Sequence, residues 1–396
     1  MGTLVIGLIP ASSTRMIYLD NNATTRIADE AAEAMLPYLS DHFGNPSSAH
    51  AAGRTALNAI NDARKSVARL VGASSADEIV FTSGGTESDN WAIIGALQAD
   101  PSRSHIVTTQ VEHEAVRSLC LLLEGSGNLV TWLEVSETGE LDLAQLEASL
   151  TDKTAVVSVM MANNETGVLF PIAEIGSIVK QRSNALFHVD AVNAAGKVAI
   201  RAADWNVDLL SISAHKFHGP KGIGALYVRE GIDLHSMLIG GGQESNRRAG
   251  TEAVHQIVGM GVAADLAFDL SAMTNVCFLR DRLEDQLLKM SSIASVNGTR
   301  DKTLRLPNTT NISFENLNGE MILAFLDDAG ICVSTGSACN SRSHTASPVL
   351  QAMDVPYSKA MGSIRFSLSR YTTADEIDAA LNVMPSILNR LAAMAV

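Results

Sequence analysis

Short runs of apolar, β-branched residues recur through the middle of the chain, at positions 78–82 and at His105–Thr109, Thr154–Met160, Leu186–Asp190, Leu209–Ser213 and Gly224–Val228. They are apolar at consecutive rather than alternate positions, the pattern of strands covered on both faces. The segments between them have helical spacing, so the region predicts an α/β unit around a mostly parallel sheet. Further along, the texture changes. A charged helical stretch at 278–290 precedes two separated strand patterns, at Thr309–Phe314 and 364–369, and predicts a smaller α+β unit.

A length of 396 residues exceeds one ordinary core. The expected organisation is a disordered extension over 1–15, a segment at 16–29 that joins the smaller unit, a large unit over 30–275, and a small unit over 276–396. With 46% hydrophobic and 18% charged residues, global disorder is excluded. A formal net charge of −14 would repel a phosphate backbone, so direct nucleic-acid binding is not expected. The four cysteines (Cys120, Cys277, Cys332, Cys339) show no C-x-x-C spacing, which fits reduced thiols and a cytoplasmic location, with Cys332 read as a core thiol. The apolar run at 4–10 lacks a basic flank and is too short to span a bilayer, so no membrane association is expected.

In open α/β sheets ligands gather at the carboxyl ends of strands, so the polar residues just after each strand are the ones to read. After the first strand comes Ser83-Gly-Gly-Thr-Glu-Ser-Asp89, where glycines and a helix start offer backbone N–H groups to an anion. Taken alone, its Ser and Thr would serve equally as helix caps. His113, Asn163-Asn-Glu165 and Asp190 follow later strands. An Asp ending an apolar strand is costly to bury without a cation or strong donor. Lys216 follows the strand Leu209–Ser213 and is suited to Schiff-base formation, although singly it reads as an ordinary lysine. A phosphate cradle, an Asp that needs a cation and a lysine that needs a carbonyl together describe pyridoxal 5′-phosphate.

With those residues assembled, the chain resembles the NifS/IscS-type cysteine desulfurases, a branch of the class-V aminotransferase-like, fold-type I pyridoxal-phosphate enzymes. The resemblance runs from Tyr18 to Arg390 and includes Leu19-Asp-Asn-Asn-Ala-Thr-Thr25, Glu112-His113, His188-Val-Asp190, Ser213-Ala-His-Lys216, Arg248-Ala-Gly-Thr251, Ser334-Thr-Gly-Ser-Ala-Cys339 and Ser363-Ile-Arg-Phe-Ser367. It implies that Lys216 bonds the cofactor aldehyde, Asp190 partners the pyridine nitrogen, and His113 stacks on the ring and moves protons. Gly85, Thr86, Ser213 and His215 match phosphate contacts, and Thr251 matches one supplied by the other subunit of a homodimer. Asn164 and Arg365 match binders of the substrate L-cysteine. Cys339 matches the nucleophile that takes the substrate sulfur as a persulfide, leaves L-alanine and passes the sulfur to an acceptor protein. The Gly- and Ser-rich stretch 334–347 predicts a loop able to move.

Two departures qualify the resemblance. Asn193 stands where the family usually has a Gln that bonds the cofactor's phenolic oxygen, so that bond is expected to be longer, water-bridged or lost. Iron–sulfur assembly members usually continue past the final helix with a tail that helps dock the scaffold protein, whereas this chain stops at Val396, soon after Arg390, so beside iron–sulfur assembly the expected acceptors include a partner in tRNA thiolation or DNA phosphorothioation. The alternatives are an aminotransferase-like enzyme in which Cys339 is idle, and a non-catalytic member whose cysteine loop binds a metal or a partner. Cys339 and His344 alone do not make a metal site.

Overall fold

The computed structural model describes residues 16–335 and 346–394; the expected extension at 1–15 therefore lies outside the described residues. Among these, the strands are β1 (Ile17–Tyr18), β2 (Ile79–Thr82), β3 (His105–Thr109), β4 (Leu129–Leu133), β5 (Thr154–Met160) and β6 (Leu186–Asp190). They continue with β7 (Leu209–Ser213), β8 (Gly224–Val228), β9 (Ala294–Val296), β10 (Thr309–Phe314), β11 (Ile331–Cys332) and β12 (Ser363–Ser367).

The main sheet has seven strands in the order β2-β8-β7-β6-β5-β3-β4. Its inner strands carry the consecutive apolar pattern because helices cover both faces, and all seven residues of β5 are buried. Strands β3 to β7 pair in parallel, whereas β8 is antiparallel to both β7 and β2. Two reversals cancel, so β2 runs the same way as β7 and only β8 is reversed. The carboxyl ends of β2, β3, β5, β6 and β7 therefore meet along one edge.

One large apolar core packs this sheet against the helices Ala51–Val71 and Val254–Phe268. Helix Ala51–Val71 starts where the His50 side chain accepts the Gly53 N–H. It stops at Gly72, whose φ of 68° is a left-handed conformation that glycine adopts without strain.

A second core joins β10, β12 and helices Ala272–Met290, Gly319–Asp328 and Ala374–Met394. The three-stranded sheet β12-β10-β9 is antiparallel. Leu19 belongs to this second core, β1 pairs with β11, and Asp20 bridges Ser367. The segment after β1 then crosses to the large sheet, where Thr25 N–H bonds the carbonyl of His215. Among the described residues no single helix is long and apolar enough to cross a membrane.

Candidate active site

The shared strand edge opens into a cavity of about 450 Å³ between the two cores. Each site strand delivers a residue into it within a few positions of its end. Gly85 and Thr86 start the helix Gly85–Ala99 just after β2, and His113 caps the helix Glu114–Gly125 that follows β3. Asn164 lies in the turn after β5, Asp190 ends β6, and Asn193 follows three residues later. Ser213 ends β7 and leads into the tight turn Ala214–Lys216 with His215 and Lys216. Arg365 enters from β12 of the smaller unit.

Two expected residues are not among these. Thr251 is exposed in the single chain and lines neither this cavity nor its neighbour. Cys339 lies outside the described residues; Thr335 and Ala346, on either side of the segment that carries it, both line the cavity.

The deep end is made of buried polar side chains. Asp190 accepts the Val192 N–H at 2.9 Å, and burial raises its pKa against the pull of the positive charges of His113 and Lys216. Behind it His188 bridges Ser158 and Ser211 with two bonds of 2.9 Å, and burial pushes its pKa down to about 3, so the ring is neutral. Asp89 sits 3.6 Å from His188, and burial together with the charge of Asp190 raises its pKa well above the usual range. Glu112 accepts from Thr109 and the Met160 N–H, and burial pushes its pKa up to about 8. The Nδ2 of Asn193 is buried with no hydrogen-bond partner, while its Oδ1 lies 3.2 Å from Lys197 Nζ.

The middle of the cavity holds an amine, an imidazole and a guanidinium. Lys216 is half-buried, and its Nζ donates to the carbonyls of Asn22 at 2.6 Å and Ala23 at 3.0 Å. His113 Nδ1 accepts the Ala115 N–H, so a neutral ring carries its proton on Nε2; burial and the Lys216 charge keep its pKa low, against Asp190. Arg365 donates to the Asn164 carbonyl at 3.0 Å and to Asp20 Oδ1 at 2.7 Å, which fixes the plane of its fork. Its Nε is buried without a partner. Glu165 closes the wall, accepting from Ser347 at 2.6 Å, and burial pushes its pKa up to about 7.

The outer end is a second, open hollow lined by Ser83, Gly84, Gly85, Thr86, Ser213, His215, Lys221 and Gly222. Here the helix start presents unpaired N–H groups and the positive end of its dipole. The turn is held from below by Gly224, where a Cβ would come within 2.7 Å of the Gly84 backbone. Burial works against ionisation of Glu87 beside the turn, but hydrogen bonds from Arg248 and Ser83 hold its carboxyl below the usual range.

Sequence reasoning missed Lys221, which lines the outer hollow from the turn that follows Lys216. It also missed Asp20, which meets Arg365 across the fold, and Lys197, whose amine turns back onto Asn193 four residues earlier. Among the described residues no group of three or more His, Cys, Asp or Glu side chains could hold a metal ion.

Residues 17–380 match the model of the class-V aminotransferase family. The chain is 54% identical over 382 residues to a cysteine desulfurase of Trichormus azollae, covering 96% of this chain and 94% of that one. Among solved structures, a NifS-like protein superposes with a TM-score of 0.88 at 37% identity, covering 95% of this chain and all of the other. SspA in complex with cysteine superposes with a TM-score of 0.79 at 36% identity, covering 90% of this chain and 99% of that one.

Proposed function

The chain belongs to the class-V aminotransferase family and is a pyridoxal-phosphate-dependent cysteine desulfurase, and from that premise we propose how its own residues divide the work. The observation that carries the assignment is the convergence of Lys216, Asp190, Asn193, His113 and Arg365 on one cavity whose outer end is a glycine-lined helix start.

The residues fit the cofactor. Among the described residues, a buried carboxyl group with no ion-pair contact (Asp190), a buried amide N–H₂ without an acceptor (Asn193) and a glycine turn offering N–H groups match a pyridinium, a phenolic oxygen and a phosphate. Asp190 and Asn193 would hold the ring, and Gly85, Thr86, Ser213 and His215 the phosphate. When bound, the cofactor supplies an aldehyde that bonds amines and a ring that takes up the electron pair released at the substrate α-carbon.

Lys216 is assigned the amine that meets the aldehyde. Its tether to two backbone carbonyls keeps Nζ at the cavity when it is released, where it can hold or return a proton. His113 works as a donor: its Nδ1 is committed to Ala115, so Nε2–H is the atom that faces proton transfer. Arg365, its plane fixed by Asp20 and Asn164, is assigned the α-carboxylate of L-cysteine. Cys339, by its place in the motif, is assigned the thiolate that attacks the substrate sulfur. The Cβ–S bond breaks as the S–S bond forms, the carbon skeleton takes up protons, and L-alanine leaves.

The persulfide then passes to an acceptor protein. Thr251, exposed in one chain, is assigned to the phosphate end of a second copy's site in a homodimer.

Alanine and sulfide release from L-cysteine, with and without Cys339→Ala, tests the reading. The wild-type chain should yield both products, and the variant should lose them. Undiminished turnover by Cys339→Ala under reductant would remove Cys339 as nucleophile. Borohydride reduction should fix the cofactor on Lys216, as read by peptide mass.

A further inference from the structure

Lys197 is a buried lysine for which the reaction has so far no use. It follows the turn after β6, and its Nζ donates to the Asn193 carbonyl at 2.8 Å and to Asn193 Oδ1 at 3.2 Å. No carboxylate neutralises it among the described residues; the charges acting on it are those of Lys216 and Arg365, and together with burial they lower its pKa to about 7. A buried amine with no carboxylate beside it is costly to charge, and here two oxygens of Asn193 meet the cost.

In its charged form Lys197 has only donors, and the amide of Asn193 turns its oxygen to it. Its Nδ2 is thereby directed away, to the cavity wall shared with Asp190 and Lys216, where it has no partner. We propose that Lys197 is a positioning residue that locks and polarises the Asn193 amide, so that this shorter side chain presents a strong N–H donor to the phenolic oxygen of the cofactor.

This rests on the assignment of Asn193 to that oxygen. A donor there, backed by a positive charge, favours loss of the proton shared between the phenolic oxygen and the Lys216 nitrogen. Weakening either should raise the pH at which that proton leaves. The ionisable groups around this wall include Lys216, Asp190, Asp89, Glu112, His113, His215 and Arg365, with His218 on the far side of Lys197, and the substitutions leave all of them in place.

The test is the pH midpoint of the visible absorption band of the holoenzyme, with no substrate present. Asn193→Leu and Lys197→Met should each move it upward by about one pH unit, tenfold in the proton equilibrium, and the double variant should move it no further than the larger single shift. Lys197→Gln, which keeps a donor and drops the charge, should move it by roughly half as much.

An unshifted Asn193→Leu would overturn the assignment of Asn193 itself. A shifted Asn193→Leu beside unshifted Lys197→Met and Lys197→Gln would overturn the role of Lys197 alone, as would additive shifts in the double variant. If Lys197→Met does not fold, Lys197→Gln decides by the same midpoint. A purely structural lysine would lower the melting temperature and leave the midpoint where it is.

Discussion

The two ends of the cavity solve opposite problems. At the outer end the chain uses small residues and backbone: Gly84, Gly85 and Ser213 leave room, and N–H groups at a helix start meet an anion that brings its own charge. At the deep end it buries Asp190, Asp89, Glu112 and Lys197, whose pKa values are all moved by the loss of water. A phosphate needs only to be held. A ring nitrogen and a phenolic oxygen must be held in chosen protonation states, which buried titratable groups and directed hydrogen bonds set.

Lys216 lies between the two ends, and its loss should break both at once. Lys216→Ala is expected to lower alanine formation by about 10⁴-fold or more, since it removes the bonded amine and a proton carrier together. Steady-state product assays check this; turnover within tenfold of wild type would refute the assignment.

The deep end alone is challenged by Asp190→Asn. Loss of one charge-assisted bond should weaken cofactor retention by roughly 10- to 150-fold, read by dialysis and residual absorbance. The substrate side is probed by Arg365→Lys, which keeps the charge and loses the fork; KM for L-cysteine should rise about tenfold with a smaller change in kcat.

At the outer end, Gly224→Ala pushes a methyl group into the Gly84 backbone, which no side-chain motion relieves. A cost of about 1–3 kcal/mol is expected, seen as a lower melting temperature and weaker phosphate-dependent cofactor binding, with the pH midpoint of the absorption band unchanged. A moved midpoint would show that the two ends are coupled.

The smallest effect concerns Glu112. Its pKa of about 8 in the fold against 4.5 otherwise means that between these values the native chain keeps a proton the unfolded chain has released. Stability contributed by this group is therefore present at the acid side of the window and lost as pH rises through it. Glu112→Gln cannot ionise, so the decline should flatten, with a gain of roughly 2–4 °C in melting temperature near the alkaline edge. Parallel curves for the two proteins would show that Glu112 is ionised throughout.

Much of this architecture is legible along the chain because burial on both faces leaves an unmistakable pattern. Strands β3, β5, β6, β7 and β8 have the bounds the apolar runs predict. The runs are silent on β4, an edge strand whose Leu129 is 61% exposed, and on β9, whose three residues are only half-buried. They are silent as well on the reversal of β8, since direction leaves no mark in local composition.

The residues of the site stand out where chemistry follows a strand directly, as with Asp190 and Lys216. Lys197 does not stand out: Asn193 is only four residues away, but it is the turn between them, not the residue pattern, that brings the amine onto the amide. Thr251 shows the same limit across molecules, its assigned partner being another copy.

The crossing segment after β1 sets an order of events. Ser367 holds Asn21 and Asn22 across separations of 346 and 345 residues, and the next carbonyls along that segment, of Asn22 and Ala23, anchor the amine of Lys216. Contacts this distant in sequence close late, since each must wait for the chain between to be made and gathered. During synthesis the large sheet can assemble while Lys216 still lacks its tether. The enzyme should thus fix the position of its reactive amine in one of the last steps of folding.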